Sequence, residues 1–320
     1  MTKKNNANSA RRKLIPAVGM LVVSAMMLSS STYAWFTMSD NVSVTGMQLK
    51  ATSDGGLLII NEDLDDTDAN WKTQTTATHN GLSKGESPVA LTFFPTSTSD
   101  ATAWYYNISD QFDNAARYSA SPYITVTATD TNNDGAYGLD SASQANDAGV
   151  KAPVGNYYLL NKFYIKSSGN ALSNGSLNIT QVKSAIKSGA TASEKATKLN
   201  KSLRIAVVSG SQTTIFAPFA GDTDVSYRVN GSETPTTAKH VGENGAVTVA
   251  TGVSSIPANT AKRPADGVTG DPATEVKVYA YFEGEDPECK SSNTTNGFDE
   301  LTLDLKFAWV PSGSGSGSGS

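Results

Sequence analysis

The chain has 320 residues: 25 are Lys or Arg, 30 are Asp or Glu, two are His and one is Cys. A single cysteine excludes an intramolecular disulfide framework and a Cys-rich metal site. The acidic balance argues against a nucleic-acid-binding protein, which needs a basic surface. Only 17% of residues are charged, and Ser, Thr, Asn and Gly supply the remaining polarity, so the composition favours an all-β, turn-rich extracellular domain.

Residues 1–34 have the pattern of a secretory signal peptide with a short apolar helix. Five Lys and Arg residues precede the 15-residue stretch Leu14–Leu28, which is shorter than the roughly 20 residues that a membrane span needs. Thr32 and Ala34 suit a signal peptidase, so we expect cleavage between Ala34 and Trp35. Retention as an uncleaved membrane anchor is the alternative. Cleavage would leave 20 basic and 30 acidic residues, a net charge of −10.

The segment after the junction alternates apolar and polar residues, as a strand does. The parity changes at Thr45-Gly46, which predicts two strand segments joined at a bend. A strand at a free terminus leaves both edges unpaired, so residues 35–46 must pair within their own sheet or in another subunit's. In the second case they form a donor strand whose side chains fill pockets in the acceptor: Trp35, Phe36, Met38, Val42 and Val44.

The export junction Thr32-Tyr33-Ala34-Trp35-Phe36-Thr37 resembles that of the TasA/camelysin family of Gram-positive biofilm-matrix fibre proteins. The alternation at Leu301–Trp309 is similar to that family's closing strand. The resemblance implies export through a dedicated signal peptidase and fibres built by donating the N-terminal strand to the next subunit. Leu301–Trp309 is then a reasonable neighbour for the acceptor groove.

The rest of the chain is rich in strand candidates bounded by Gly, Asn, Asp or Pro. They are Leu57–Ile60 (a continuous apolar run typical of a strand buried on both faces), Val89–Phe94, Tyr123–Thr129, Tyr157–Ile165, Leu177–Ile179, Leu203–Val208, Thr213–Phe216, Val276–Phe282 and Leu301–Trp309. The two helix candidates are Gln181–Lys187 and Ser193–Lys201. We therefore predict an all-β, two-sheet jelly-roll-like sandwich over residues 47–310, with long loops and one or two short helices.

Two stretches stand apart from this pattern. Residues 221–271 are poor in apolar residues and predict a polar insertion or a partly mobile lobe. Residues 311–320 alternate Ser and Gly after Pro311 and predict a flexible tail outside the fold.

The strongest metal-like motif is a calcium half-loop at Asp130, Asn132 and Asp134, followed by Gly135. Its twelfth position is Ser141, where calcium requires a bidentate acid, and Asn-Asp-Gly is also turn chemistry. Calcium binding and a plain turn both stay open, and no other cofactor is indicated.

Residues 283–289 place four carboxylates and Cys289 directly after a strand. They fit a second cation site or a solvated acidic loop. Cys289 could link two chains or bind a soft metal, but a lone thiol among acids has a raised pKa and reacts poorly.

Aromatic residues could form a sugar-binding platform or pack in the core. The candidates are Trp71, Trp104-Tyr105-Tyr106 and Tyr157-Tyr158.

The catalytic signals are weak. Camelysin-like relatives imply protease activity, but no HExxH motif is present and His79 and His240 lie far apart in the sequence. We therefore expect a non-enzymatic, extracellular or cell-surface protein that polymerises with itself.

Further expected partners are the signal peptidase and membrane during export, and a matrix polysaccharide or another matrix protein afterwards. The alternative is a monomeric or membrane-anchored surface adhesin or glycan-binding module.

Overall fold

The structure, a computed structural model, describes residues 42–44, 47–62, 64–79, 91–93, 95–107, 123–126, 138–139, 155–156, 158–187, 198–219, 221, 223–229, 234–264, 272–286, 288–289 and 300–312. The predicted signal peptide, most of the candidate donor strand and most of the Ser/Gly tail lie outside these residues.

Most of the described residues lie in strands. The first eleven are β1 (Val42–Val44), β2 (Met47–Asp54), β3 (Leu57–Asn61), β4 (Gln74–His79), β5 (Leu91–Phe93), β6 (Trp104–Asn107), β7 (Tyr123–Val126), β8 (Gly138–Leu139), β9 (Gly155–Asn156), β10 (Leu159–Ser167) and β11 (Leu172–Ser173). The remaining nine are β12 (Gly175–Lys187), β13 (Leu203–Ser209), β14 (Gln212–Ala217), β15 (Val225–Tyr227), β16 (Thr236–His240), β17 (Ala246–Ala250), β18 (Ser255–Ile256), β19 (Thr274–Phe282) and β20 (Glu300–Pro311).

Two large sheets pack face to face. One has five strands in the order β17-β12-β20-β2-β4, and the other has seven in the order β15-β16-β14-β13-β19-β10-β3. A four-stranded sheet, β1-β5-β9-β8, and two hairpin-sized sheets, β6-β7 and β11-β18, accompany them. The predicted all-β, two-sheet sandwich is confirmed.

The chain crosses from the first large sheet to the second at a glycine pair. Gly55 and Gly56, between β2 and β3, have φ of +71° and +79°, a left-handed conformation that other residues adopt only at a cost. The Ser53 hydroxyl donates to the Leu57 carbonyl at 2.9 Å and closes the turn. β2 and β3, although consecutive in the chain, therefore lie in opposite sheets.

The core between the sheets follows from the two-residue period of the strands. In β20, Leu301, Leu303, Leu305 and Phe307 are at most 2% exposed, whereas the residues between them are half-buried. Four residues of β19 point into the same core from the opposite sheet: Val276, Val278, Ala280 and Phe282. Full burial of each such side chain contributes about 1.5–3 kcal/mol relative to its exposure to water.

The seven-stranded sheet is buried on its outer face as well. Residues 95–103, which we call the covering segment, connect β5 to β6 in the chain and lie on this face. The Tyr227 hydroxyl donates to the carbonyl of Thr98 in this segment at 3.1 Å. Trp104 and four tyrosines pack there in a second cluster. The prediction for Leu57–Ile60 is also confirmed, because Leu57 and Ile59 lie in the main core and Ile60 lies in a third cluster on the other face.

The helix predicted at Gln181–Lys187 is wrong. These residues form the second half of β12, which pairs with β20 from Gly175↔Pro311 to Lys187↔Glu300. After a bulge between Ile179 and Gln181, burial alternates, with Val182 buried and Lys183 exposed. Long-range pairing therefore outweighs helix propensity here. Of the second predicted helix, Ser193–Lys201, the described part belongs to a 3-10 helix, Lys198–Ser202.

The segment 221–271, predicted as a polar insertion, contributes to both large sheets. β15 and β16 extend the seven-stranded sheet, and β17 forms an edge of the five-stranded one. Val247 and Val249 of β17 pack against the main core. Short strands with few apolar residues carry a weak sequence signal, which is why composition alone suggested an insertion.

Gly175 provides a test of the packing between β12 and β20. A Cβ at this position would lie 2.6 Å from Trp309 Cζ2 and 2.6 Å from the Val310 carbonyl oxygen. We expect Gly175→Ala to lower the free energy of unfolding by about 1–3 kcal/mol, measured by denaturant titration. The matched control is Gly169→Ala, because a Cβ at Gly169 meets no atom within 4 Å. Equal stability of the two variants would contradict this close approach.

Candidate functional site

The N-terminal strand lies at the edge of the four-stranded sheet. β1 runs antiparallel to β5, with the pairs Val42↔Phe93, Ser43↔Thr92 and Val44↔Leu91. Only two residues separate it from β2, which lies in the five-stranded sheet. The prediction of two strand segments, broken near residues 45–46, is therefore confirmed. The cleavage pair Ala34 and Trp35 and the donor residues Phe36 and Met38 lie outside the described residues.

The C-terminal strand is not a free neighbour for an added strand. Between Leu301 and Ala308, β20 pairs with β12 along one edge and with β2 along the other. The expectation that an acceptor groove lies beside Leu301–Trp309 is therefore wrong, because both edges are already used. The strand that receives β1 is β5.

The acidic segment 283–289 is folded around a buried arginine; Glu283 and Asp286 are buried, and Glu285 and Glu288 are half-buried. Arg204, on β13, is fully buried, and its Nη2 lies 2.6 Å from Asp286 Oδ2. Its Nη1 donates to the carbonyls of Lys201 and Leu203 at 2.6 and 3.0 Å. The interpretation of a solvated loop is wrong, because this ion pair draws the segment onto the outer face of the seven-stranded sheet.

Glu283 lies at the centre of this buried polar cluster. Its Oε1 accepts the Glu285 backbone N–H at 3.0 Å. Its Oε2, the Ser97 hydroxyl and the Arg204 Nε are buried and have no hydrogen-bond partner among the described residues. Burial raises the pKa of the Glu283 carboxyl to about 8, and the nearby Ser97 hydroxyl and Arg204 charge offset part of that effect. This carboxyl is therefore protonated at neutral pH.

Two tyrosines adjoin the same cluster. The Tyr227 and Tyr281 hydroxyls lie 3.4 Å apart, and the Arg204 guanidinium lies 5.9 Å from the Tyr227 ring. Burial raises the pKa of both phenols above their ordinary value, so both stay neutral. The cluster is thus a largely uncharged network around one ion pair.

Cys289 is fully buried in the main core. Burial raises the pKa of its thiol to about 12, so the reactive thiolate is scarce at neutral pH. The suggestion that Cys289 links two chains or binds a soft metal is not supported by this placement.

Trp71 is also a packing residue. It is 5% exposed, and its indole N–H donates to Asp66 Oδ1 at 2.7 Å. The Lys166 amine lies 4.2 Å from its ring centroid, a cation–π contact. Asp66 also accepts the backbone N–H of Arg263 at 2.9 Å, so the acidic loop that precedes Trp71 is anchored to residues 261–263.

Trp104 is 2% exposed and packs against aromatic neighbours. Its ring centroid lies 4.2 Å from that of Tyr158 and 5.0 Å from that of Tyr281. The side chains of Tyr105, Tyr106 and Tyr157 lie outside the described residues. Trp71, Trp104 and Tyr158 therefore form no exposed platform, and a sugar-binding site built on them is wrong.

The metal-like motifs find no counterpart in the part of the chain that the structure describes. Asp130, Asn132 and Asp134 lie outside it, so the calcium prediction stays a prediction. Within it, no group of three or more His, Cys, Asp or Glu side chains could hold a metal ion. The His240 Nδ1 lies 2.7 Å from the Gly221 carbonyl oxygen.

Sequence reasoning missed three components of the cluster: Arg204, Tyr227 and the covering segment. The available signal was Arg204 itself, a charged residue inside the apolar run Leu203–Val208. A buried arginine requires an anionic partner, and the acidic segment 283–289 supplies it.

No family model, curated protein or solved structure matches this chain. Among the described residues, no helix has the length and apolar character needed to cross a membrane.

Proposed function

We propose that the chain is an exported structural subunit that polymerises by donating its N-terminal strand to the next copy, forming extracellular or cell-surface fibres of the biofilm-matrix kind. The observation that carries this proposal is the position of β1. Within the part of the chain that the structure describes, it is a three-residue edge strand joined to β5 by three residue pairs.

Such a strand exchanges at low cost. Three residue pairs are few compared with the twelve that join β12 to β20. If β1 leaves its own β5, the same register is available on the β5 of a second copy, so the intermolecular pairing replaces an identical intramolecular one. Because the donor and acceptor surfaces differ, the contact need not close into a ring and can propagate as a fibre.

The resemblance of the export junction to the TasA/camelysin family points in the same direction. Before cleavage, the segment preceding β1 would be tethered to the apolar leader. Removal of the leader would free residues 35–44 to reach a neighbour, which would couple export to assembly.

Deleting residues 35–45 tests the proposal. Cells expressing the full chain are expected to secrete a protein that forms filaments in negative-stain micrographs, whereas the deletion variant is expected to stay monomeric. Mass spectrometry identifies the mature N-terminus of each. A synthetic peptide of residues 35–46 should bind the deletion variant, because its β5 edge is free, and in excess should stop filament growth of the wild type.

A variant lacking residues 313–320 is the matched control and should assemble normally. Wild-type protein that stays monomeric at micromolar concentration would overturn the proposal. Filaments from the deletion variant would show that another surface carries the assembly.

A further inference from the structure

The covering segment physically connects the N-terminal strand to the buried cluster. It begins two residues after β5, on whose edge β1 lies. Thr96, Ser97 and Thr98 are fully buried. The Thr96 N–H donates to the Phe282 carbonyl at 3.0 Å, and the Gly284 N–H donates to the Thr96 carbonyl at 2.9 Å. These two bonds bracket Glu283.

β5 depends on the same few residues. Phe93 is fully buried, and its ring packs edge-to-face on that of Phe282, with centroids 5.8 Å apart. Phe282 therefore positions β5 through its ring and the covering segment through its carbonyl. Any displacement of the chain around Glu283 acts on both.

The groups around Glu283 do little to stabilise a negative charge on its carboxyl. Glu285, in the same loop, repels such a charge, while the nearby cation, Arg204 on β13, already donates to Asp286 and to two carbonyls. The other groups facing it are uncharged: Tyr227 on β15, Tyr281 on β19, the Ser97 hydroxyl and the Cys289 thiol. The Arg204 charge favours an ionised Glu283 but is shared with Asp286, so hydration is the main remaining way to stabilise the carboxylate.

We propose that Glu283 and the covering segment form a proton-controlled latch on the N-terminal strand. While the carboxyl holds its proton, the covering segment stays packed and keeps β5, and with it β1, in place. When the proton passes to solvent, the covering segment and β5 open together to hydrate the carboxylate. This inference rests on the proposed function for its consequence, which is that mildly alkaline conditions speed the release of the strand for donation.

Amide hydrogen exchange of the secreted protein tests the latch without requiring fibres. Protection factors of the backbone amides in residues 42–44 and 91–98, of which Pro95 has none, are compared between the wild type and Glu283→Gln at pH 6 and pH 9. Gln imitates the protonated carboxyl. We expect the ratio of Glu283→Gln protection to wild-type protection to be at least ~10-fold larger at pH 9 than at pH 6.

Two references keep this result interpretable. Amides of β20 report global opening within the same molecule, so exchange at residues 42–44 and 91–98 that is faster than at β20 marks local opening. Glu275→Gln, on β19 and half-exposed, should behave as the wild type. A ratio of Glu283→Gln protection to wild-type protection that is the same at pH 6 and pH 9 would overturn the latch.

Filament growth is the second readout. We expect the wild type to assemble at least several-fold faster at pH 9 than at pH 6, and Glu283→Gln to grow at the same rate at both. A wild type that shows the exchange effect but forms no filament would overturn the proposed function while leaving the latch standing. Filaments whose growth shows no dependence on Glu283 would overturn the link between the latch and assembly.

Discussion

Replacing Arg204 by Met is expected to lower the free energy of unfolding by about 3–5 kcal/mol, because it leaves the Asp286 carboxylate with a buried charge and no cation. Arg204 is fully buried and Asp286 is 8% exposed. The substitution also removes the donors to the carbonyls of Lys201 and Leu203. Denaturant titration of the secreted protein measures this loss.

A double substitution separates the effect of losing the Arg204–Asp286 ion pair from the effect of leaving Asp286 charged without a cation. Arg204→Met with Asp286→Asn should be more stable than Arg204→Met alone, because the neutral amide carries no charge and its oxygen can still accept the Glu288 N–H. The exposed pair of Lys306 and Asp54, 3.0 Å apart, provides the contrast. Lys306→Met should destabilise the protein far less than Arg204→Met, because water screens an exposed pair.

A decrease in the free energy of unfolding of less than about 1 kcal/mol in Arg204→Met would contradict this prediction. Such a result would mean that Asp286 reaches water and that the segment 283–289 is not packed against β13.

The sequence allows prediction of the strands whose side chains alternate over many residues. β20 reads apolar at Leu301, Leu303, Leu305 and Phe307, and a strand there requires no knowledge of its neighbours. The neighbours of β20 in the sheet cannot be predicted in this way, because the strand lies between β12, far away in the sequence, and β2, near the N-terminus. Such pairings are long-range, so no local pattern encodes them, and the helix predicted at Gln181–Lys187 failed for the same reason.

The candidate site was predictable only in part. The alternation before Thr45 indicated a separate strand, but not that β5 would receive it. The four carboxylates after β19 were visible, yet Arg204 lies 82 residues earlier than Asp286, and nothing local to the acidic residues distinguishes a buried ion pair from a solvated loop. Trp71 and Trp104 show the same limit, because a tryptophan has the same sequence signature in a core as on a binding face.

The buried carboxyl of Glu283 is expected to make the protein less stable as the pH rises from about 5 to 8. The folded-state pKa of about 8 lies above the ordinary value of 4.5, so this group favours the folded state at low pH. Between these two values the native state keeps a proton that the unfolded state has lost. Stability then falls by at most about 1.4 kcal/mol per pH unit, and no further loss from this group occurs above pH 8.

Glu283→Gln isolates this dependence, because an amide does not titrate. The free energies of unfolding of the wild type and the variant should be similar near pH 5 and should diverge steadily up to pH 8, with the variant the more stable. Glu275→Gln should follow the wild-type curve at every pH, since that side chain is half-exposed and paired with Lys277. Curves for the wild type and Glu283→Gln that stay parallel from pH 5 to pH 8 would show that the Glu283 carboxylate is hydrated in the native state, and the buried cluster would then be open to solvent.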